Sequence, residues 1–192
     1  MLTPPIRAKR ALLAALVATS SAVGSTVAAQ PASARPSYSC PPSAHDNDPN
    51  PLHIESFMLT MLNKERAAHG APGLGSDPRL RLESAGRHNA QMARFDRLSH
   101  RLPGEAGLVP RIMSTGFRSW TVAGENVAMN TDETWRGACY LQNWMYHETG
   151  PNDGHRRNIL NPAYRRVGIN VLMDRKHHTM WITFDFFTTG RA

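Results

Sequence analysis

The first strongly periodic stretch places apolar residues at Ile54, Phe57, Met58, Met61 and Leu62, the i, i+3, i+4, i+7, i+8 spacing that lines one face of a helix. Gly70 and Pro72 predict its end. Asp77-Pro78 has the form of an N-cap followed by proline in the first turn, opening a second helix to about Arg94 that buries Leu82, Ala85, Asn89 and Met92. A short third helix is expected over Leu108–Ser114, stopped by Gly116. A fourth starts near Asp132 and carries Trp135, Ala138, Leu141, Trp144 and Met145, with Tyr140 and Trp144 read as core; Gly150-Pro151 breaks it. The period then changes to two. Val167, Ile169, Val171 and Met173 alternate with Gly168, Asn170 and Leu172, and Met180, Ile182, Phe184 and Phe186 alternate with Trp181, Thr183 and Asp185. These segments predict an antiparallel hairpin turned at Asp174–His177, and a further strand is expected within Trp120–Met129. The fold class is therefore α+β, with helices packed on a small antiparallel sheet.

The N-terminus follows a different logic. Arg7, Lys9 and Arg10 precede the apolar run Ala11–Ala18 and a small-residue stretch to Ala29, the order of a secretory signal. Cleavage is expected after Ala29 or after Ala34, leaving no transmembrane anchor, because the apolar run is short of the roughly 20 residues a span needs. Residues 30–51 contain Pro31, Pro36, Pro41, Pro42, Pro49 and Pro51 among polar residues and read as a linker. The folded domain then occupies 52–192. The signal supplies three of the net seven positive charges, and the other basic residues are interspersed with acids, which argues against nucleic acid as a partner. Two cysteines make neither a disulfide scaffold nor a cysteine zinc knuckle, but export carries Cys40 and Cys139 into an oxidising compartment where they are expected to pair.

Candidate chemistry gathers at three segments read as loops or helix ends: Leu98-Ser99-His100, Gly124-Glu125-Asn126, and His147-Glu148 with Gly154–Pro162. His147-Glu148 does not extend to a His-Glu-x-x-His metal motif, since the next histidine is His155 beyond Gly150-Pro151. No Gly-x-Ser-x-Gly elbow is present, and Cys139 lies within a helix, so no nucleophile is evident. His177 and His178 are neighbours in a hairpin and point to opposite faces. His100, Glu125 and His155, with His147 or Glu148 as a fourth, make an N/O donor set suited to zinc or another divalent cation. The same groups also suit a hydrogen-bonded polar network that fixes three segments, with the Asn126 amide bridging backbone groups.

Taken together, Asn63-Lys-Glu-Arg66, Asp77-Pro-Arg-Leu80, Ser99-His100, Arg111 with Gly116-Phe117, Gly124-Glu-Asn126, Trp144-Met145 and Gly154-His155-Arg-Arg-Asn158-Ile-Leu160 resemble the CAP superfamily of cysteine-rich secretory, antigen 5 and pathogenesis-related proteins, in its bacterial SCP-like branch. The resemblance covers about residues 54–187. It implies a three-layer α-β-α sandwich with a cleft where two histidines and two acids can hold a divalent metal. His100, Glu125 and His155 match three of those positions, while His147 stands where eukaryotic members have Glu and Glu148 follows it. Two functions are expected from these residues. One is a secreted extracellular or cell-envelope binding module, non-catalytic, for a lipid, glycan, peptide or protein ligand. The other is a metal-assisted extracellular hydrolase acting on peptide or envelope polymer. The first is favoured by the lack of a nucleophile, and the second requires His100, Glu125 and His155 to converge around a water in an open groove.

Overall fold

Both faces of the central sheet are apolar because both are covered. The computed structural model describes residues 40, 43 and 45–190; the expected signal peptide lies outside them. Helix α1 spans Pro51–Ala68, capped by the Asn50 side chain, which accepts from the Leu52 amide at 3.0 Å. A two-residue strand β1 (Gly75–Ser76) precedes a π-helical turn, Leu80–Ala85, that runs directly into α2 (Gly86–Phe95). Then follow α3 (Leu108–Ser114), β2 (Val122–Asn130), α4 (Trp135–Tyr146), α5 (Gly154–Leu160), β3 (Arg166–Asp174) and β4 (Thr179–Thr188). The strand order is β1-β3-β4-β2, with antiparallel β3/β4 and β2/β4 pairs. The sheet is mixed rather than wholly antiparallel, because β1, too short to signal itself in the sequence, pairs parallel to β3.

β4 lies inside the sheet and all its residues from Thr179 to Phe187 are buried. Met180, Ile182, Phe184 and Phe186 pack with Val167, Ile169 and Val171 against Ile54, Met58 and Leu62 of α1, Ala138, Leu141 and Met145 of α4 and Ile159 of α5. The opposite face meets the π turn, α2 and α3 through two smaller clusters. Trp181 and Val127 join Met92, Leu98 and Leu102; Phe187 joins Leu80, Ile112 and Phe117. The result is the α-β-α sandwich.

Several elements differ from the sequence reading for identifiable reasons. The π turn adds a residue to one helical turn, which rotates Leu82 outward to 54% exposure and buries Leu80 instead. Close approach permits that turn: a Cβ on Gly168 of β3 would collide with the backbone and Cβ of Leu80. Helix α4 starts at Trp135 under a Thr134 cap and ends at Tyr146, ahead of Gly150-Pro151, where His147 Nδ1 lies 2.8 Å from the Asn143 carbonyl. Tyr140 is 42% exposed and Trp144 is only half-buried, so neither is a core residue.

Cys40 and Cys139 form a disulfide across 99 positions, with Cα atoms 5.9 Å apart. The end of the proline-rich stretch is tied down beside it. Asp46 pairs with Arg136 at 2.5 Å, and the Trp135 amide donates to the Asp48 carbonyl at 2.9 Å. Arg66 is fully buried and donates to the carbonyls of Pro72, Ile159, Asn161 and Tyr164, joining α1 to both ends of the chain segment that enters β3.

Candidate functional site

β2 is an outer strand, and alternation along it sends successive side chains to opposite layers. Glu125 is in the middle of this strand, inside the stretch Trp120–Met129 where the sequence predicts one, and faces α2 and α3. Its Oε1 lies 2.7 Å from His100 Nδ1, and its Oε2 receives Nη2 of Arg111. His88 Nε2 is 3.8 Å from the same oxygen, while His88 Nδ1 lies 2.7 Å from Glu105 Oε1. Glu105 in turn accepts from the Leu102 amide at 3.0 Å and stands 3.8 Å from Arg111 Nε. Asp185 of β4 is the cross-strand partner of Glu125 and is fully buried. These groups form a polar layer between the two apolar clusters on this face of the sheet.

The two carboxyls of this layer are driven apart. Burial pushes Glu125 up, but the His100 hydrogen bond and the charges of Arg111, His88 and His100 outweigh it, so its carboxyl is held below the usual range. Asp185 is pushed well above its usual range, first by burial and then by the Glu125 charge. Glu125 is therefore the anion and Asp185 the neutral acid. An ionised Glu125 puts the proton of the facing His100 nitrogen on Nδ1.

The second pair belongs to the other layer. His155 lies in α5, a helix in a segment the sequence reading left as loop. Glu148 explains the helix: it accepts the His155 amide at 2.9 Å and the Arg156 amide at 3.4 Å, capping the first turn from upstream. Its other oxygen lies 2.6 Å from His155 Nδ1, and the fully buried ring of His155 sits 5.6 Å from the Trp144 ring. Asn126 does bridge backbone, donating to the His155 carbonyl at 3.2 Å and accepting from Asn158 Nδ2 at 2.8 Å. Asn158 also donates to the Glu125 carbonyl at 3.1 Å, so α5 is fastened directly to β2.

Thus His100 meets Glu125, and His155 meets Glu148, on either side of β2, while His147 caps the end of α4. Among the described residues, no group of three or more His, Cys, Asp or Glu side chains is placed to hold a metal ion. Glu125 is engaged by His100 and Arg111, and Glu148 holds Nδ1 of His155, whose Nε2 is buried with no hydrogen-bond partner among the described residues. Two surface hollows, of about 300 and 400 Å³, lie beside α1 and α5, and none of the candidate residues lines either one.

His88, Glu105 and Asp185 complete the network although their chemistry was not singled out in the sequence. The legible signals were an imidazole beside Asn89 on the buried stripe of α2 and an acid inside the apolar run of β4.

Fold and site together define an α-β-α sandwich domain with a histidine–glutamate pair on each side of its outer strand. The family model described as the cysteine-rich secretory protein family, CAP, matches residues 59–186, and the chain belongs to this family. No curated protein matches it. Among solved structures it is similar to an extracellular protein containing a SCP domain from Bacillus anthracis, with TM-score 0.59 and 24% identity over 72% of this chain and 41% of that one. It is also similar to an outer surface protein from Borrelia burgdorferi, with TM-score 0.60 and 15% identity over 72% of this chain and 94% of that one. A cysteine-rich secretory protein from Staphylococcus aureus matches with TM-score 0.54 and 15% identity, over 72% of this chain and 39% of that one. The chain thus spans well under half the length of the Bacillus and Staphylococcus proteins. Among the described residues, no helix is long and apolar enough to cross a membrane.

Proposed function

We propose that this CAP protein is exported and acts as a non-catalytic binding module in the extracellular space or cell envelope. Its ligand-facing region is the outer edge of β2, flanked by His100 and Glu125 in one layer and by Asn126, Glu148 and His155 in the other. The observation that carries the reading is the internal commitment of the acid and base groups. Both Glu125 oxygens and both Glu148 oxygens are engaged within the protein. Such a network holds loops and an outer strand in a fixed shape, which suits recognition by shape and peripheral contacts better than proton transfer. The extracellular and surface descriptions of the structural neighbours support the location, and the charged and apolar order of residues 7–29 supports export.

N-terminal sequencing of the secreted product tests export; a mature end after Ala29 or Ala34 is expected, and an intact Met1 on the active protein overturns it. Function is tested by co-sedimentation of the mature protein with purified peptidoglycan and with anionic phospholipid vesicles, alongside assays for released peptide or sugar. Retention without product release is expected. Product release that His100→Ala abolishes in a still-folded protein would establish the hydrolase instead. Zinc calorimetry of the same pair at pH 7 separates the metal case: heat lost with His100→Ala would show a cation site at this strand.

A further inference from the structure

Away from β2, one acid is buried in the joint between α1 and α4. Glu65 closes the inward stripe of α1 beyond Leu62 and faces Gln142 of α4, which is itself fully buried. Gln142 Nε2 stands 2.5 Å from Glu65 Oε2, a separation in the range of O–H···O contacts and shorter than an ordinary N–H···O bond. The other end of the amide, Gln142 Oε1, is buried with no hydrogen-bond partner among the described residues. A carboxylate accepts from the amide nitrogen but has no proton to offer the orphaned amide oxygen. A carboxylic acid can accept from the nitrogen with one oxygen and donate the O–H of the other to Gln142 Oε1.

We propose that Glu65 is a neutral carboxylic acid in the folded protein, paired through two hydrogen bonds with the Gln142 amide, and that this pair is a proton-dependent latch between α1 and α4. The charged and titratable groups around it are few. α1 contributes Arg66, whose donors go to backbone carbonyls, and the chain just beyond α1 contributes His69, which lies 2.9 Å from the Tyr146 hydroxyl of α4. α5 contributes Arg156, which donates to the Tyr146 carbonyl and lies with its guanidinium 4.9 Å from the Tyr146 ring. Burial raises the Glu65 carboxyl to about 8, against the downward pull of the Gln142 hydrogen bond and the Arg156 charge.

Loss of the proton leaves a buried anion facing an amide oxygen, and it offers Arg156 a competing partner to the Tyr146 carbonyl. The latch therefore loosens the α4–α5 corner that holds Glu148 and His155. A raised native value makes the contribution to stability complete below the unfolded carboxyl value and progressively lost as pH rises through the native one. The window runs from about 4.5 to about 8.

Carbon-detected NMR of the full mature chain, with glutamate carboxyls labelled, reads the Glu65 proton directly. One carboxyl is expected to titrate near pH 8, with the Tyr146 and Arg156 amide resonances moving at the same midpoint, and to vanish from the spectrum in Glu65→Gln. Glu65→Gln should also flatten the loss of thermal stability between about pH 5 and 8. All glutamate carboxyls titrating below pH 6 would overturn the proposal, as would Tyr146 and Arg156 amides that do not follow Glu65. Because the direct readout uses the wild-type protein, a variant that fails to fold does not remove the test.

Discussion

At the level of single residues, Glu125 has the most demanding position. It is an anion inside the protein, held by Arg111 and His100, with a neutral Asp185 beside it across the sheet. Removing one partner of such a pair leaves the other buried and uncompensated, which is typically more destabilising than losing the pair as a whole. Glu125→Gln is expected to lower stability by about 3–5 kcal/mol in urea unfolding, on the scale of broken buried ion pairs. The pH dependence has a definite sign. A carboxyl held below its usual value contributes stability above the unfolded value and loses it as pH falls through the native one. The wild type should therefore lose stability below about pH 4.5, and Glu125→Gln should lose less over that interval; equal acid slopes would contradict the assignment of Glu125 as the anion.

Elements here are shaped by neighbours more than by their own propensities. The π turn can cross β3 only because residue 168 has no side chain. Gly168→Ala drives a methyl into the Leu80 backbone, which cannot give way as a flexible side chain would. A loss of about 2–3 kcal/mol is expected, within the usual range for overpacking, measurable as a lowered urea midpoint. α5 depends in the same way on Glu148, which caps it from outside the helix while holding His155. Glu148→Ala should lower stability by about 1–2 kcal/mol, as for loss of a strong cap, and should raise amide exchange through residues 154–157. Unchanged exchange there would show that α5 is held by Asn126 and Asn158 instead.

Across the whole molecule, the disulfide joins the start of the described chain to the middle of α4, enclosing most of α1, α2, α3 and β2 within one loop. Chain-entropy reasoning gives about 4–5 kcal/mol for a loop of roughly this length. Replacing both cysteines by serine should lower the thermal midpoint of the protein by roughly 10–20 °C, with cooperative unfolding retained. A variant as stable as the wild type would mean that the unfolded chain is already compact enough for the crosslink to restrict little. Asp46–Arg136 and the Asp48–Trp135 bond lie beside this crosslink, so the stretch that precedes α1 is part of the sandwich's outer surface.

Periodicity by itself determined the helix Leu108–Ser114, the inward stripe Ile54–Met58–Leu62, and the β3/β4 hairpin, because each records a local repeat of buried and exposed positions. Two thiols, read together with the expectation of export, were enough to anticipate Cys40–Cys139. The family-like order of motifs likewise anticipated the three-layer sandwich. Only the tertiary structure decided which candidate groups meet. Alternation in β2 sends Glu125 toward His100 and Arg111 while Asn126 turns toward α5, so His155 is paired with Glu148 instead of joining Glu125. Nor could local pattern reveal the π turn, whose register is set by contact with Gly168, or the cap of α5, whose donor and acceptor are seven positions apart. Hydrophobic burial leaves a periodic trace along the chain; hydrogen bonds and ion pairs between distant residues leave none, and in this protein it is those bonds that arrange the site.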